Sequence, residues 1–116
     1  MDSLLKPLQD GDELDLVTSA GGLVVLYKHS DRCFWCHRSL SQVERFAETH
    51  PDVPVYIVDV LRQRELSLDI AEKLGVRHES PQAIVLQEGQ PAWNGSHRSV
   101  TATALETEVH RLGKAG

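Results

Sequence analysis

The sequence predicts an α/β fold, a central mixed sheet of about four strands flanked by helices. Three observations lead there. Short apolar, β-branched runs alternate with stretches whose apolar residues recur at helical spacing. Glycines and prolines mark the boundaries between them. The length of 116 residues, with 41% hydrophobic and 25% charged, suits one globular domain that buries a core without a disulfide or metal staple.

Leu4 to Leu8 suggests an edge strand, and Glu13 to Ser19 a short helix. Residues 23–27, LVVLY, form a continuous apolar run behind Gly21 and Gly22, as in a strand buried on both faces. From Phe34 to Thr49, Cys36, Leu40, Val43 and Ala47 recur at steps of four, three and four, and Phe46 widens that face. Pro51 ends the helix, because the residue before a proline disfavours the helical conformation. Residues 55–58, VYIV, predict a second strand of this unit. A helix over Glu65 to Leu74 then puts Leu66, Ile70 and Leu74 on one side, with Gly75 as its C-terminal cap. Residues 83–86, AIVL, predict another strand, Glu88-Gly89 a turn, and Pro91 to Asn94 a short returning strand with Pro91 at its start or on an edge. A last helix runs from Thr101 to Leu112 with Leu105, Val109 and Leu112 inward. The order from residue 23 onward is β-α-β-α-β-β-α, that of a thioredoxin-like fold, in a single domain over residues 1–116.

The net charge of -5, with no basic run, argues against a nucleic-acid partner. No apolar run approaches the length of a membrane span; the longest is Leu23 to Tyr27. The N-terminal stretch MDSLLKPLQDGDELDL lacks the basic and apolar regions of a secretory signal, so a cytoplasmic location is expected. Cysteines start there as thiols.

Both cysteines lie in HSDRCFWCHRSL, residues 29–40. The pattern C-x-x-C-H fits a redox pair, two arms of a metal site, or a haem attachment point. Covalent haem calls for export and a second axial ligand, and zinc calls for about four ligands. No second C-x-x-C or H-x-x-x-H accompanies the pair, and His29, His50, His78, His97 and His110 are scattered singly. No metal or bound cofactor is therefore expected. The junction of a buried strand with a helix favours the redox reading. At the opening of that helix, free N–H groups and the helix dipole favour thiolate over thiol on Cys33, the expected nucleophile. Lys28, His29, Arg32 and His37 add positive charge to the thiolate environment, and Asp31 opposes them. Cys36, one turn further on the inward face, suits a resolving thiol. Phe34 and Trp35 offer a surface for clients. Ser80-Pro81 stands before the third long strand, where a thioredoxin fold places a cis-proline that exposes the preceding backbone to a substrate strand.

These residues carry a family resemblance. LYKHSDRC followed by VYIVDVLRQRELSLDIAEKLGVRHESPQAIVLQEGQPAWNGSH resembles the bacilliredoxin family, and most closely its monothiol branch, over about Leu14 to Leu112. Its most specific parts are Lys28-His29-Ser30, Gly75-Val76, His78-Glu79-Ser80-Pro81-Gln82 and Ser96-His97. The resemblance implies a cytoplasmic protein of low-GC Gram-positive bacteria or the Deinococcus group, which use bacillithiol in place of glutathione. It implies removal of bacillithiol from protein mixed disulfides, with Cys33 attacking and Pro81 as the cis-proline. That branch typically has a proline after one cysteine; here Phe34, Trp35 and Cys36 follow, which opens a dithiol route.

Tyr27 takes the place of the buried carboxylate that thioredoxins carry six positions before the first cysteine. The diglycine of glutaredoxins is absent from Asn94-Gly95-Ser96-His97-Arg98-Ser99. His97, Arg98 and the amides opening the last helix are candidates to hold an anionic thiol such as bacillithiol, the expected co-substrate. Expected partners are bacillithiolated or disulfide-bonded client proteins and, for recycling, bacillithiol or a disulfide reductase. The chain is expected to act as a monomer. Two other readings are a general dithiol reductase of thioredoxin or glutaredoxin style and a non-catalytic binding module.

Overall fold

A computed structural model of the chain describes residues 4–31 and 34–115. Its elements are β1 (Lys6–Pro7), α1 (Gly11–Ser19), β2 (Leu23–His29), α2 (Phe34–Thr49), β3 (Val55–Asp59), α3 (Arg64–Leu74), β4 (Gln82–Gln87), β5 (Gln90–Ser96), a 3₁₀ turn (His97–Ser99) and α4 (Ala102–Ala115). The strands form one sheet in the order β1-β3-β2-β4-β5. β1, β3 and β2 run parallel, while β4 is antiparallel to β2 and β5 to β4. The sheet thus has five strands where about four were expected. The fifth, β1, is the edge strand that Leu4 to Leu8 suggests, shortened to two residues that pair Lys6 with Tyr56 and Pro7 with Ile57.

Local chemistry sets the boundaries. α1 opens at Gly11, ahead of the expected Glu13, because the Asp10 carboxylate accepts the Glu13 N–H at 2.9 Å. The Glu13 carboxylate in turn accepts the Gln9 N–H at 2.8 Å, a capping pair displaced by one residue. α3 ends at Gly75, whose left-handed backbone (φ 65°) lets its N–H reach the Ala71 carbonyl. Gln63 ties three elements together: its amide oxygen accepts the Asp59 N–H and its amide nitrogen donates to the Leu8 carbonyl. Between β4 and β5, Glu88 (φ 52°) and Gly89 (φ 78°) both have positive φ, the two-residue turn that matches strand twist. β5 runs longer than expected, through Gly95 and Ser96, so that Ser96 pairs with Gln82. It is a polar edge strand with a bulge opposite Val85 and Leu86, and such a strand carries little hydrophobic signal.

Alternation along the strands sorts side chains into two cores. Val25 and Tyr27 of β2, Val55 of β3, and Ala83 and Val85 of β4 meet Val43, Phe46 and Ala47 of α2 and Leu105, Val109 and Leu112 of α4. On the other face Val24, Leu26, Val58, Ile84 and Leu86 meet Leu14 and Val17 of α1 and Leu66, Ile70 and Leu74 of α3. The three strands buried on both faces are those that read as continuous apolar runs. No helix among the described residues is long and apolar enough to cross a membrane.

Candidate active site

The site forms where the C-terminal end of β2 meets the start of α2. Cys33 and Arg32 lie outside the described residues. Cys36 sits in the first turn of α2, completely buried. Its Sγ lies 3.7 Å from the Ser80 Oγ. Ser80 precedes Pro81 through a cis peptide bond. The fold thus brings residues 36 and 80 together, 44 positions apart in the chain.

The polar groups around Cys36 come mainly from β2. Tyr27 and His29 are two apart on one strand, so both side chains face α2. The Tyr27 hydroxyl donates to the Cys36 carbonyl at 3.1 Å and lies 3.0 Å from His29 Nδ1. His29 Nε2 is 2.9 Å from an Asp31 carboxylate oxygen. His29 and Tyr27 are buried, whereas Asp31 is exposed. His37 Nε2 donates to the Asp31 main-chain carbonyl at 3.2 Å, and the His37 ring stands edge-on to His29 at 6.3 Å.

Lys28 points the other way. It shares a face with Leu26, and its fully buried ammonium group meets His78 Nδ1 at 3.0 Å. Burial lowers its pKa from the usual 10.5 to about 8. His78 is also held below its ordinary value, first by desolvation and then by the Lys28 and Arg64 charges. Of the basic residues expected around the thiolate, the structure therefore brings His29 and His37 to the Cys36 side of the sheet. It places Lys28 on the face covered by α1 and α3.

Above the site, Phe34 is 77% exposed and packs edge-on against Trp35 at 5.5 Å. The Arg98 guanidinium lies 5.7 Å from the centre of the Trp35 ring. The His97 N–H donates to the Pro81 carbonyl at 3.0 Å, with His97 in the left-handed region (φ 55°). Arg98 and His97 thus border the Ser80-Pro81 segment and Trp35. Two of the amides opening α4, which were expected to face a ligand, are engaged within the chain. The Ala102 N–H is taken by the Gln42 side chain at 2.9 Å and the Ala104 N–H by the Thr101 hydroxyl at 3.1 Å. Among the described residues, no group of three or more His, Cys, Asp or Glu is gathered as a metal site would require.

Sequence reasoning missed two partners. The Tyr27 hydroxyl had a signal, its i, i+2 relation to His29 on a strand. His78 had none, because it meets Lys28 across 50 positions of chain.

Comparison with known proteins agrees with this architecture. A solved structure described as a proposed oxidoreductase with a thioredoxin fold superposes with a TM-score of 0.84 at 29% identity, covering 92% of this chain and 94% of that one. A mutant thioredoxin from Halobacterium salinarum NRC-1 superposes at 0.71 with 26% identity, covering 96% and 94%. Thioredoxin from Trypanosoma brucei brucei superposes at 0.77 with 17% identity, covering 95% and 91%, a likeness of fold. The sequence matches the family model described as monothiol bacilliredoxin BrxC over residues 6–105. The fold and the family make the chain a thiol–disulfide oxidoreductase in general type. With the match spanning the sheet, Cys36, Ser80 and the 3₁₀ turn, this chain belongs to the monothiol bacilliredoxin family.

Proposed function

We propose that this chain removes bacillithiol from protein mixed disulfides in the cytoplasm. The Cys33 thiolate attacks the bacillithiol sulfur, the client leaves as a thiol after taking up a proton, and Cys33 carries the bacillithiol as a mixed disulfide. Cys36, losing its own proton, then attacks the Cys33 sulfur. Bacillithiol leaves as a thiol and a Cys33–Cys36 disulfide remains, which bacillithiol or a disulfide reductase must reduce for the next cycle. Arg98 and His97 are the groups that would hold the carboxylates of bacillithiol, and Phe34 with Trp35 the surface that would meet the client.

The observation that carries this reading is the buried Cys36 thiol, 3.7 Å from Ser80 in the first turn of α2. A purely monothiol cycle has no use for a second thiol there. The same observation favours a second reading, a dithiol reductase acting on protein disulfides and fed by a disulfide reductase.

The test is the intact mass of Cys36→Ser protein exposed to bacillithiol disulfide and, separately, to glutathione disulfide. One fast adduct with bacillithiol, and a much slower one with glutathione, is expected. Equal slow reaction with both would discard bacillithiol specificity and leave the reductase reading. Cys33→Ser must lose all exchange; an active Cys33→Ser protein would falsify the assignment of the nucleophile.

A further inference from the structure

The Tyr27 hydroxyl has one proton, and two of its neighbours compete for it. The Cys36 carbonyl lies at 3.1 Å and His29 Nδ1 at 3.0 Å. A carbonyl only accepts. If Tyr27 donates to it, His29 Nδ1 must itself carry a proton and donate to the tyrosine oxygen. His29 Nε2 faces the Asp31 carboxylate at 2.9 Å, which also only accepts, so Nε2 carries a proton as well. The line Asp31–His29–Tyr27–Cys36 is fully satisfied when His29 is an imidazolium. When His29 is neutral and keeps its bond to Asp31, Nδ1 becomes an acceptor and draws the Tyr27 proton away from the Cys36 carbonyl. The alternative tautomer sets a nitrogen lone pair against a carboxylate. One bond of the line is lost either way, and for buried groups that loss is costly.

Among the described residues, the other groups near His29 have partners of their own or are apolar. His37 approaches from α2 and gives its Nε2 proton to the Asp31 main chain. Asp59, the register partner of His29 on β3, is held by the Leu61 and Arg62 N–H groups and lies 3.8 Å from the Arg62 side chain. From β4 the residue on that face is Ala83, which is apolar.

We propose that His29 is a positioning residue for Cys36: by holding Tyr27 against the Cys36 carbonyl, it fixes the turn that carries the resolving thiol. The inference rests on the dithiol cycle above. The Cys36 turn is anchored while His29 is protonated and released when it is neutral. His29 acts on Cys36 through Tyr27.

The two thiols can be followed with 5,5′-dithiobis(2-nitrobenzoate) in a stopped-flow instrument, using the full chain. Cys33 attacks the reagent and releases one thionitrobenzoate. Cys36 then gives up a proton, attacks the Cys33 sulfur and releases the second. The rate of the second release relative to the first is expected to fall about tenfold in Tyr27→Phe and in His29→Gln, the weight of about one buried hydrogen bond. In the wild type this ratio should also break downward with rising pH, and neither variant should show the break. Tyr27→Phe keeps the ring and its packing, so it serves if His29→Gln fails to fold. Two equivalents from the wild type, with the same ratio and the same pH break in the variants, would overturn the inference alone. A single equivalent would overturn it together with the dithiol route, while the bacillithiol adduct test on Cys36→Ser would still stand.

Discussion

Lys28 and His29 are adjacent residues that serve opposite faces of one sheet. His29 joins Tyr27 beneath α2, and Lys28 ends against His78 beneath α3. A lysine whose folded pKa lies near 8 binds fewer protons than the unfolded chain between about pH 8 and pH 10.5. Stability therefore rises with pH through that window, because the unfolded state must lose a proton that the folded state has already released. At pH 7 the charged amine is carried at a cost on the order of 3 kcal/mol. Lys28→Met is expected to remove this dependence. Urea midpoints should show the variant gaining on the wild type at pH 7 and losing that advantage by pH 10. Only part of this arrangement is legible in the sequence. The C-x-x-C pair announces itself, but the apolar run stops at Tyr27 while β2 continues to His29, so the alternation that parts Lys28 from Tyr27 and His29 does not show. The Lys28–His78 contact is hidden there, since only the packed fold brings residues 50 positions apart together.

Element boundaries depend on a few backbone positions. Gly89 has φ 78°, and a Cβ placed there would fall 2.0 Å from the Thr18 carbonyl oxygen at the end of α1. The β4–β5 turn therefore leans on α1, and glycine is required both for its conformation and for the approach. Gly89→Ala should cost about 3 kcal/mol, read as a fall in the urea midpoint with an unchanged slope. Glu88-Gly89 signals this turn correctly in the sequence. The ends of α2 are equally legible, because a wide apolar stripe and Pro51 bracket it. The start of α1 is less so, as its cap lies in polar residues without a period. The far end of β5 escapes the apolar pattern for the same reason: Asn94-Gly95-Ser96 continues the ladder by main-chain pairing alone.

At the scale of the whole molecule, the sheet separates two cores that share no side chains among the described residues. Val43→Ala, beneath α2, and Ile70→Val, beneath α3, should each cost about 1–2 kcal/mol. Their double variant should lose the sum of the two to within about 0.5 kcal/mol by denaturant titration. Coupling well beyond that would mean that strain passes through the sheet. The class of fold is legible because its three central strands are apolar on both faces and its helices on one. The flanking strands are least legible, and they have a consequence of their own. β1 is two residues long and contains Pro7, which offers no N–H to a neighbour. On the other side β5 carries Pro91 and a bulge. Neither border presents the long, flat ladder on which another chain can grow. A crowded population of such molecules is thereby poorly templated for zipping into ribbons.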